Sequence, residues 1–457
     1  MTPTLRDYQH HGVEEIRGEY AKGCRSVVYV LPTGGGKTTV FSHVAERSAA
    51  RGNRVLTLVH RSELLRQASG RLAQMGVAHG LIAAGRGMDL SQMVQVASVQ
   101  TLARRLDKFP PDYFGLIIVD ECHHTNAGTW VQVLRYFRAR VLGVTATPVR
   151  GDGRGLGEWY GSMVLGPSPQ ELTDRGFLAP ARVMAPPGFD ATGLKKKMGD
   201  YDMRQAGEVL QAGQAMGDAL SHYERIMPGR TAIAFCCSVA HAESVAELFR
   251  RHGVAAASID GKTDASRREQ LLRDLGDGTL KVLTSCELIG EGVDVPSVGG
   301  CILLRPTSSV GLHLQMIGRC LRPQPGKVAV VLDHVGNTLR LGHHLDDREW
   351  TLDGAKKRDR ETALSVKACP HCFAVMNSQK SVCPDCGHVF VVQQPRELEH
   401  VDGELVEVMM QRRERKREQG SAQTVEELAE VGRRRGMKNP RGWARHVLAA
   451  RMTRVGG

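Results

Sequence analysis

SVVYVLPTGGGKTT, residues 26–39, places an apolar run before a glycine-rich turn and a helix-forming run after it. This order predicts a β-strand, a phosphate-binding loop and a helix, in which backbone N–H groups and the helix N-terminus surround phosphate oxygens. We expect Lys37 to reach the β- and γ-phosphates of ATP and Thr38 to give Mg²⁺ a hydroxyl ligand. Leu31 stands where the general pattern has its first glycine, so the match to that pattern is partial. The predicted nucleotide-binding residues of this loop are Thr33, Gly34, Gly35, Gly36, Lys37, Thr38 and Thr39.

A pair of carboxylates decides whether this glycine-rich turn is a phosphate site or only a structural turn. The segment LIIVDECHH, residues 116–124, puts Asp120 and Glu121 at the end of an apolar run. Adjacent carboxylates are usually surface charges, but a buried strand would bring them to its carboxyl end, where the ligand sites of α/β sheets lie. Asp120 suits Mg²⁺ coordination through water, and Glu121 suits orienting and deprotonating an attacking water. The two motifs together predict an ATP site.

Apolar runs alternate with amphipathic stretches in two tandem blocks. The first block begins at residue 26, and the pattern restarts with TAIAFCC, residues 231–237, and ends with VAVVLD, residues 328–333. Such alternation predicts the α/β class, with parallel sheets covered by helices. A stretch rich in Gly and Pro, residues 151–188, is expected to connect the two blocks.

Short motifs follow one another in a fixed order through both blocks. They are LRDYQ from Leu5, HRSELLRQ from His60, SVQTL from Ser98, DECH from Asp120, TATP from Thr145, LIGEGVDVPSV from Leu288 and QMIGRCLRP from Gln315. With the phosphate loop, this series resembles superfamily 2 helicases of the DExH (DEAD/DEAH box) type, in the group of type III restriction motors and RadD-like DNA-repair ATPases. The resemblance covers roughly residues 5–337 and implies two tandem RecA-like domains.

The resemblance also implies roles for single residues at the nucleotide. Gln9 is expected to contact adenine, and Gly292 and Asp294 are expected to lie at the nucleotide. Arg319 and Arg322 are expected to be arginine fingers. Guanidinium groups stabilise the charge on a transferring γ-phosphoryl group, and their placement on a second domain makes hydrolysis depend on domain closure. The alternative for two arginines three positions apart is a solvated helical face.

Two further sets of residues follow from motif position. Residues implied to couple hydrolysis to movement are His123, Thr145, Thr147 and Gln315. The resemblance identifies HRSELLRQ as motif Ia, SVQTL as motif Ib and LIGEGVDVPSV as motif V, and nucleic acid would lie across both domains along these motifs and motif IV. Residues implied to contact its backbone are Arg61, Gln100, Thr101 and Thr284.

A cysteine-rich segment follows the second block. CPHCFAVMNSQKSVCPDCGH, residues 369–388, contains two Cys-x-x-Cys pairs separated by ten residues. Four thiolates at this spacing suit a tetrahedral structural Zn²⁺, although redox chemistry is the competing interpretation. The predicted metal ligands are Cys369, Cys372, Cys383 and Cys386. The ribbon is expected to contact nucleic acid or a protein partner, or to have a purely structural role.

The overall charge favours a polyanionic partner. Lys and Arg exceed Asp and Glu by 12, and the sequence pI is about 9.3, although a basic solvated surface would give the same balance. Residues 433–457 hold eight basic residues and no acidic one, which makes this tail a candidate phosphate-contacting patch. Trp443 there could stack on a base or anchor a helix on a hydrophobic core. The chain lacks an apolar run long enough for a membrane span and an N-terminal secretory signal, so we expect a cytoplasmic protein.

The expected domain organisation has five parts. They are a RecA-like ATP-binding domain at residues 1–180, a RecA-like helicase C-terminal domain at 181–345, a linker at 346–365, a four-cysteine zinc ribbon at 366–392 and a basic helical region at 393–457.

The expected function is an ATP-dependent helicase or translocase that uses Mg²⁺ and acts on nucleic acid, with DNA favoured over RNA by the resemblance. DNA repair, recombination or replication would suit such a motor. Three alternatives remain: a duplex DNA translocase without strand separation, an RNA helicase, and a non-catalytic adaptor whose zinc ribbon carries the function. A protein partner could bind through the ribbon or the tail.

Overall fold

A computed structural model describes most of the chain. The described residues are 4–60, 62–85, 87–124, 128–150, 154–187, 189–197, 199–212, 215–286, 295–354, 366–390, 422, 424–435 and 439–455. They fall into two units, residues 1–390 and 391–457. Three predicted site residues, Arg61, Gly292 and Asp294, lie outside the described residues.

The first sheet of the 1–390 unit has seven strands, all paired in parallel. The strands are β1 (Ser26–Val30), β2 (Val55–Val59), β3 (His79–Ile82), β4 (Val94–Ser98), β5 (Leu116–Asp120), β6 (Arg140–Thr145) and β7 (Ser162–Leu165), in the spatial order β3-β4-β2-β5-β6-β1-β7. The helices are α1 (Asp7–Ala21), α2 (Lys37–Ala49), α3 (Ser62–Gln74), α4 (Val99–Ala103), α5 (Gly128–Tyr136) and α6 (Pro169–Asp174). Strands such as β2 are buried along their whole length, which is why they appear in the sequence as continuous apolar runs.

The second sheet has six strands and is also parallel throughout. Its strands are β8 (Ala181–Met184), β11 (Ala232–Phe235), β12 (Ala256–Ile259), β13 (Val282–Ser285), β14 (Gly300–Leu303) and β15 (Ala329–Asp333), in the order β12-β13-β11-β14-β15-β8. A separate antiparallel hairpin pairs β9 (Lys196–Lys197) with β10 (Asp200–Tyr201). The helices are α7 (Met203–Ala212), α8 (Ala215–Ile226), α9 (Val239–Arg251), α10 (Ala265–Asp277), α11 (Val310–Gly318) and α12 (Asn337–Leu341). The predicted α/β class with two parallel sheets is confirmed.

Residues 346–354, expected to lie in a linker, cross back to the first sheet. The Gly157 N–H donates to the Leu352 carbonyl oxygen at 2.8 Å, and Arg154 forms a β-bridge with Gly354. Trp350 and Leu352 pack against the core on one face of the first sheet. This segment therefore ties the two sheets together at a second place besides their direct connection.

The cysteine-rich segment docks on the edge of the second sheet. Its strands β16 (Val366–Ala368) and β17 (Val375–Asn377) form an antiparallel hairpin. The Ala185 N–H donates to the Phe373 carbonyl oxygen at 2.9 Å, just beyond β8, and Arg182 Nε of β8 lies 3.1 Å from Asp385 Oδ1. The ribbon thereby covers part of an edge strand whose backbone groups would otherwise be open.

We give the name second-domain histidines to three of the buried histidines within residues 181–345. They are His241, His313 and His334. Burial lowers the pKa of His241 to about 4 and the pKa of both His313 and His334 to about 3, because the charged imidazolium is disfavoured away from water. The folded protein therefore holds these imidazoles neutral at pH values where an unfolded chain would protonate them.

The 391–457 unit contains two packed helices, α13 (Val425–Arg434) and α14 (Pro440–Val455). Thr424 and Glu427 form a capping box that starts α13. A Cβ added at Gly432 would lie 3.3 Å from Cε3 of Trp443, so the indole packs closely on α13. This contact favours the helix-anchoring role of Trp443 over base stacking. No helix of the described residues is both long and apolar enough to cross a membrane.

Candidate nucleotide-binding cleft

The glycine-rich turn after β1 forms a loop that leads into α2. Gly34 and Gly36 have φ angles of +92° and +88°, which side chains other than glycine rarely tolerate. Gly36 is the N-cap of α2, so the helix begins at Lys37 and its first N–H groups face the loop. This is the backbone arrangement expected of an anion site at a helix N-terminus.

Two side chains from α1 hold this loop in place. Tyr8 Oη donates to the Gly35 carbonyl oxygen at 2.8 Å, and Gln9 Nε2 donates to the same oxygen at 3.0 Å. The Arg6 N–H in turn donates to Gln9 Oε1 at 2.9 Å. The resemblance assigns the Gln9 amide to adenine, and Gln9 lines the cleft. In this structure, however, both the nitrogen and the oxygen of the amide are hydrogen-bonded to the protein backbone.

The carboxylates lie at the carboxyl end of β5, beside the loop. Asp120 Oδ1 accepts the Glu121 N–H at 3.0 Å, and Glu121 has a φ of +49°. A residue with a Cβ pays on the order of 1–2 kcal/mol for this left-handed conformation. The surrounding structure must compensate for that strain.

A side-chain contact with His123, followed by hydrogen bonds of Thr145, connects Glu121 to the end of β6. Glu121 Oε2 lies 3.4 Å from His123 Nδ1, which lies 3.0 Å from Thr145 Oγ1. The same Thr145 hydroxyl donates to the Thr147 carbonyl oxygen and accepts the Thr147 N–H, both at 3.1 Å. Three of the four predicted coupling residues, His123, Thr145 and Thr147, therefore form one connected series of contacts that starts at Glu121, the proposed general base.

The second domain meets the loop through glycines. A Cβ added at Gly318 would lie 2.6 Å from Cβ of Thr33, and one added at Gly34 would lie 2.6 Å from Nη1 of Arg322. A Cβ at Gly311, in the first turn of α11, would lie 2.8 Å from Oγ1 of Thr147. These approaches bring the QMIGRCLRP segment against both the phosphate loop and the TATP segment.

The cleft between the two sheets has a volume of about 1100 Å³. Its lining includes most of the predicted nucleotide-site residues that the structure describes, among them Gln9, Thr33, Gly34, Gly36, Lys37, Thr38, Thr39, Asp120, Glu121, Arg319 and Arg322. Gln315 is buried on α11, in the helix that leads to Arg319.

The charges at the cleft act on Lys37. Burial lowers the pKa of Lys37, Glu121 and Asp120 act to raise it, and Arg322 and Arg319 lower it further. Three cationic side chains thus converge with two carboxylates, which leaves a net positive site suited to a polyphosphate.

Sequence reasoning missed Arg71 on α3. Arg71 Nη2 donates to Thr39 Oγ1 at 2.7 Å, and the residue lines the cleft. It follows the HRSELLRQ motif by a full helical turn and belongs to no motif. The only signal in the sequence is its position on the same amphipathic helix.

The described nucleic-acid contact candidates have different surroundings. Gln100 and Thr101 at the start of α4 are half-buried, and Gln100 Nε2 lies 3.1 Å from His60 Nδ1, so the Ia and Ib motifs meet. Thr284 was assigned by motif position, and its role in nucleic-acid contact stays a prediction. It lies fully buried within β13, where its hydroxyl donates to the Ala242 carbonyl oxygen at 2.8 Å.

The four cysteines of the ribbon converge. Their sulfur atoms all lie within 4.8 Å of one another, with Cys369 3.7 Å from Cys386 and Cys372 3.6 Å from Cys383. Tetrahedral Zn–S bonds of about 2.3 Å place sulfur atoms about 3.8 Å apart. The geometry therefore fits a four-thiolate metal site.

Comparisons with known proteins agree with this architecture. Residues 2–150 match the family described as "Type III restriction enzyme, res subunit", and residues 215–324 match "Helicase conserved C-terminal domain". A "51.5 kDa protein" of a Lactococcus phage is 33% identical over 82% of this chain and 80% of its own length. "Putative ATP-dependent helicase IRC3" of Saccharomyces cerevisiae is 29% identical over 73% of this chain, which spans about half (52%) of that protein.

A solved structure shows the same fold. It is "The fragment structure of a putative HsdR subunit of a type I restriction enzyme from Vibrio vulnificus YJ016", with a TM-score of 0.59 and 25% identity, covering 75% of this chain and 67% of that one. This likeness supports a RecA-like domain around each of the two parallel sheets described above. The chain belongs to the superfamily 2 helicases of the type I and type III restriction-motor group, a family of ATP-hydrolysing helicases and translocases that act on nucleic acid.

Proposed function

We propose that the cleft binds ATP with Mg²⁺ and that its hydrolysis moves the two domains along DNA. The observation that carries the proposal is the convergence of both domains on one phosphate loop, where Gly34 closely approaches Arg322 and Gly318 closely approaches Thr33. A site completed by two domains makes hydrolysis depend on their relative position. That dependence is what converts a chemical step into movement.

Each residue then has one task. Lys37 binds the β- and γ-phosphates, and the Thr38 hydroxyl and Asp120 hold Mg²⁺, which neutralises phosphate charge when bound. Glu121 orients the attacking water and accepts its proton. Arg319 and Arg322 stabilise the charge that develops on the transferred phosphoryl group.

The coupling residues connect these groups to the domain interface. The chain from Glu121 through His123 and Thr145 ends at Thr147, which contacts the first turn of α11 at Gly311. A shift of α11 would therefore alter the position of Glu121, and a change at Glu121 would act on α11 through the same contacts. DNA is favoured as the track because the matched family is named for restriction enzymes.

The ribbon is proposed to bind Zn²⁺ through its four thiolates. Burial opposes ionisation of Cys369, but hydrogen bonds from the N–H groups of Cys372 and His371 and from the thiols of Cys386 and Cys372 together lower its pKa to about 7. Backbone N–H groups that point at a sulfur stabilise the thiolate that zinc requires. Because the ribbon packs beside β8, its first role is to support the second sheet.

The domain boundaries are proposed as the sequence placed them: 1–180, 181–345, 346–365, 366–392 and 393–457. The start of the second domain near residue 181 is supported by β8, which pairs with β15 of the second sheet. The connection at 346–354 is better described as a strap than as a free linker, since it packs on the first sheet.

The test is steady-state ATP hydrolysis by the full chain, alone and with single-stranded DNA, duplex DNA, forked DNA or RNA. Stimulation by DNA is expected, and Glu121→Gln should lower the rate by roughly 10²–10⁴-fold, the usual contribution of a general base. The variant should still bind ATP. An absence of hydrolysis with every nucleic acid would overturn the motor and leave the adaptor. Stronger stimulation by RNA would instead identify an RNA helicase.

A strand-displacement assay separates the two kinds of DNA motor. A helicase releases the shorter strand of a forked duplex, whereas a duplex translocase displaces a third strand from a triplex and leaves the duplex paired. Hydrolysis should be required for either result, so Glu121→Gln is the control in both.

A further inference from the structure

The hairpin of β9 and β10 is anchored to the loop that precedes α11. Thr307 Oγ1 donates to Asp200 Oδ2 at 2.7 Å, and the Ser308 N–H donates to Asp200 Oδ1 at 2.6 Å. The Ser308 hydroxyl also donates to the Gly199 carbonyl oxygen at 3.0 Å. Hydrogen bonds to a carboxylate are about twice as strong as neutral ones. One acidic residue therefore fastens the hairpin to a loop more than a hundred residues later in the chain.

The anchored loop determines where α11 begins. The Thr307 side chain is fully buried, and its hydroxyl accepts the Ser309 N–H at 3.0 Å. The Ser309 hydroxyl caps α11 by accepting the Leu312 N–H at 3.2 Å. Because α11 ends at Gly318, directly before Arg319, the Asp200 anchor and an arginine finger sit at opposite ends of one short helix.

The hairpin presents three consecutive exposed lysines. Lys196 pairs with Tyr201 across the hairpin, and its Nζ lies 5.8 Å from the ring centroid. Side chains alternate between the two faces of a strand, so Lys195 and Lys197 share the other face. Within the described ranges, no carboxylate forms an ion pair with any of the three. Asp200, which pairs with Lys197 across the hairpin, already accepts hydrogen bonds from Thr307 and Ser308.

The position of the hairpin places these lysines at the functional edge of the second sheet. Strands β13, β11 and β14 are parallel neighbours, so their carboxyl ends lie along one edge. In the sequence, β13 is followed by LIGEGVDVPSV (motif V), along which the resemblance implies that nucleic acid lies. The hairpin is fixed to the loop after β14, at the same edge.

We propose that Lys195 and Lys197 bind the phosphate backbone of the nucleic-acid track, and that Asp200 is a positioning residue that transmits this contact to α11 and Arg319. This inference rests on the proposed function and adds to it a named route by which the track stimulates hydrolysis. The ligand is a run of backbone phosphodiester groups, which the lysines would bind irrespective of base sequence.

The first experiment titrates the full chain with a single-stranded oligonucleotide and measures ATP hydrolysis. Lys195→Gln with Lys197→Gln should raise the half-saturating oligonucleotide concentration and reduce the salt slope of binding by about 2, one for each phosphate that is no longer bound. The maximal stimulated rate should also fall, because the contact that Asp200 transmits to α11 is lost, whereas the rate without nucleic acid should stay unchanged. Lys196→Gln is the matched control, because it removes one charge from the face that packs on Tyr201. A double variant whose titration superimposes on that control overturns the contact.

The second experiment tests the transmission. Asp200→Asn keeps the shape but replaces an acceptor oxygen with a donor that faces Thr307 Oγ1 or the Ser308 N–H. The maximal stimulated rate should fall by about 2- to 30-fold, the range of changes in coupling networks, with the half-saturating concentration and the unstimulated rate unchanged. Thr307→Val should behave similarly, and Thr307→Ser, which keeps the hydroxyl, should restore stimulation.

The outcomes separate this inference from the proposed function. If Asp200→Asn lowers the stimulated and unstimulated rates in the same proportion, Asp200 only supports the fold and the transmission is overturned. If the unaltered protein is not stimulated by any nucleic acid, the proposed function itself fails. If nucleic acid stimulates the unaltered protein and the variants equally, the proposed role of the hairpin is overturned and the proposed function stands.

Discussion

Gly318→Ala tests whether the second domain must approach the phosphate loop closely for hydrolysis. The added Cβ would lie 2.6 Å from both Cβ and Cγ2 of Thr33. Carbon atoms in contact prefer separations of about 3.5–4.0 Å, so α11 and the loop would have to move apart by about 1 Å. Rotation of the Thr33 side chain does not remove the clash, because its Cβ is fixed to the loop backbone.

The displacement has a larger effect on catalysis than on binding. Arg319 follows Gly318 directly, and a misplacement of about 1 Å at a catalytic group can cost on the order of 10²-fold in rate. We therefore expect kcat to fall by about 10²-fold, with a smaller change in KM for ATP, because Lys37 and Asp120 belong to the first domain. Stability should not fall, since alanine is favoured over glycine in helices by up to about 1 kcal/mol.

The assay is steady-state ATP hydrolysis at saturating DNA, together with thermal unfolding. Gly18→Ala is the matched control, because it makes the same change within α1 at a position where nothing lies within 4 Å of the new Cβ. An unchanged kcat for Gly318→Ala would refute the argument that close approach of α11 is required. A loss of kcat that accompanies a lowered unfolding temperature would refute the separation of catalysis from stability.

Three further predictions concern other parts of the chain. Elemental analysis should find one zinc per chain. Cys386→Ser should release the zinc and lower the unfolding temperature, since such a ribbon has too little core to fold without its metal. A native protein without zinc would contradict this prediction. The free energy of unfolding should fall as the pH is lowered from 6.5 towards 4, because the unfolded chain protonates the second-domain histidines that the fold keeps neutral. Each histidine contributes a slope of up to about 1.4 kcal/mol per pH unit. Urea unfolding at pH 7, 6 and 5 measures this free energy, and an unchanged value across these pH values would contradict the prediction. Arg441 and Arg445 are exposed on α14. Replacing both with Gln should reduce the salt slope of duplex DNA binding by about 2 without changing ATP hydrolysis in the absence of DNA. Arg204→Gln on α7 is the control, and a double variant with the same salt slope as the unaltered protein would exclude the tail from the binding surface.

The sequence predicted the parts of the cleft that depend on local order. The phosphate loop follows a strand and starts a helix within fourteen residues, so its neighbours in space are also its neighbours in sequence. Asp120 and Glu121 were placed correctly at a strand end because a continuous apolar run marks a strand buried on both faces. The left-handed backbone of Glu121 had no such signal, because no glycine or asparagine marks the position.

The parts that the sequence did not predict depend on tertiary packing. Thr284 lies in a motif position but within a strand covered on both faces, and motif position alone does not determine exposure. Arg71 and Asp200 reach their partners from outside the motifs, the second across 107 positions of the chain. The strap at 346–354 resembles a linker in composition, and only its contacts in the folded structure, such as the backbone bond to Gly157 and the β-bridge to Arg154, show that it is packed.

The charges of the cleft explain why closure should depend on the nucleotide. Lys37 and the two arginines repel one another as the domains approach, and the effect of Arg319 and Arg322 on the pKa of Lys37 shows that this repulsion reaches the lysine. Asp120 and Glu121 offset only part of it. A triphosphate supplies the missing negative charge between the two domains, so binding of ATP should favour the closed arrangement, and loss of the γ-phosphate should weaken it. We therefore expect the electrostatics that stabilise the transferring phosphoryl group also to favour approach of the domains when ATP is bound and their separation after hydrolysis.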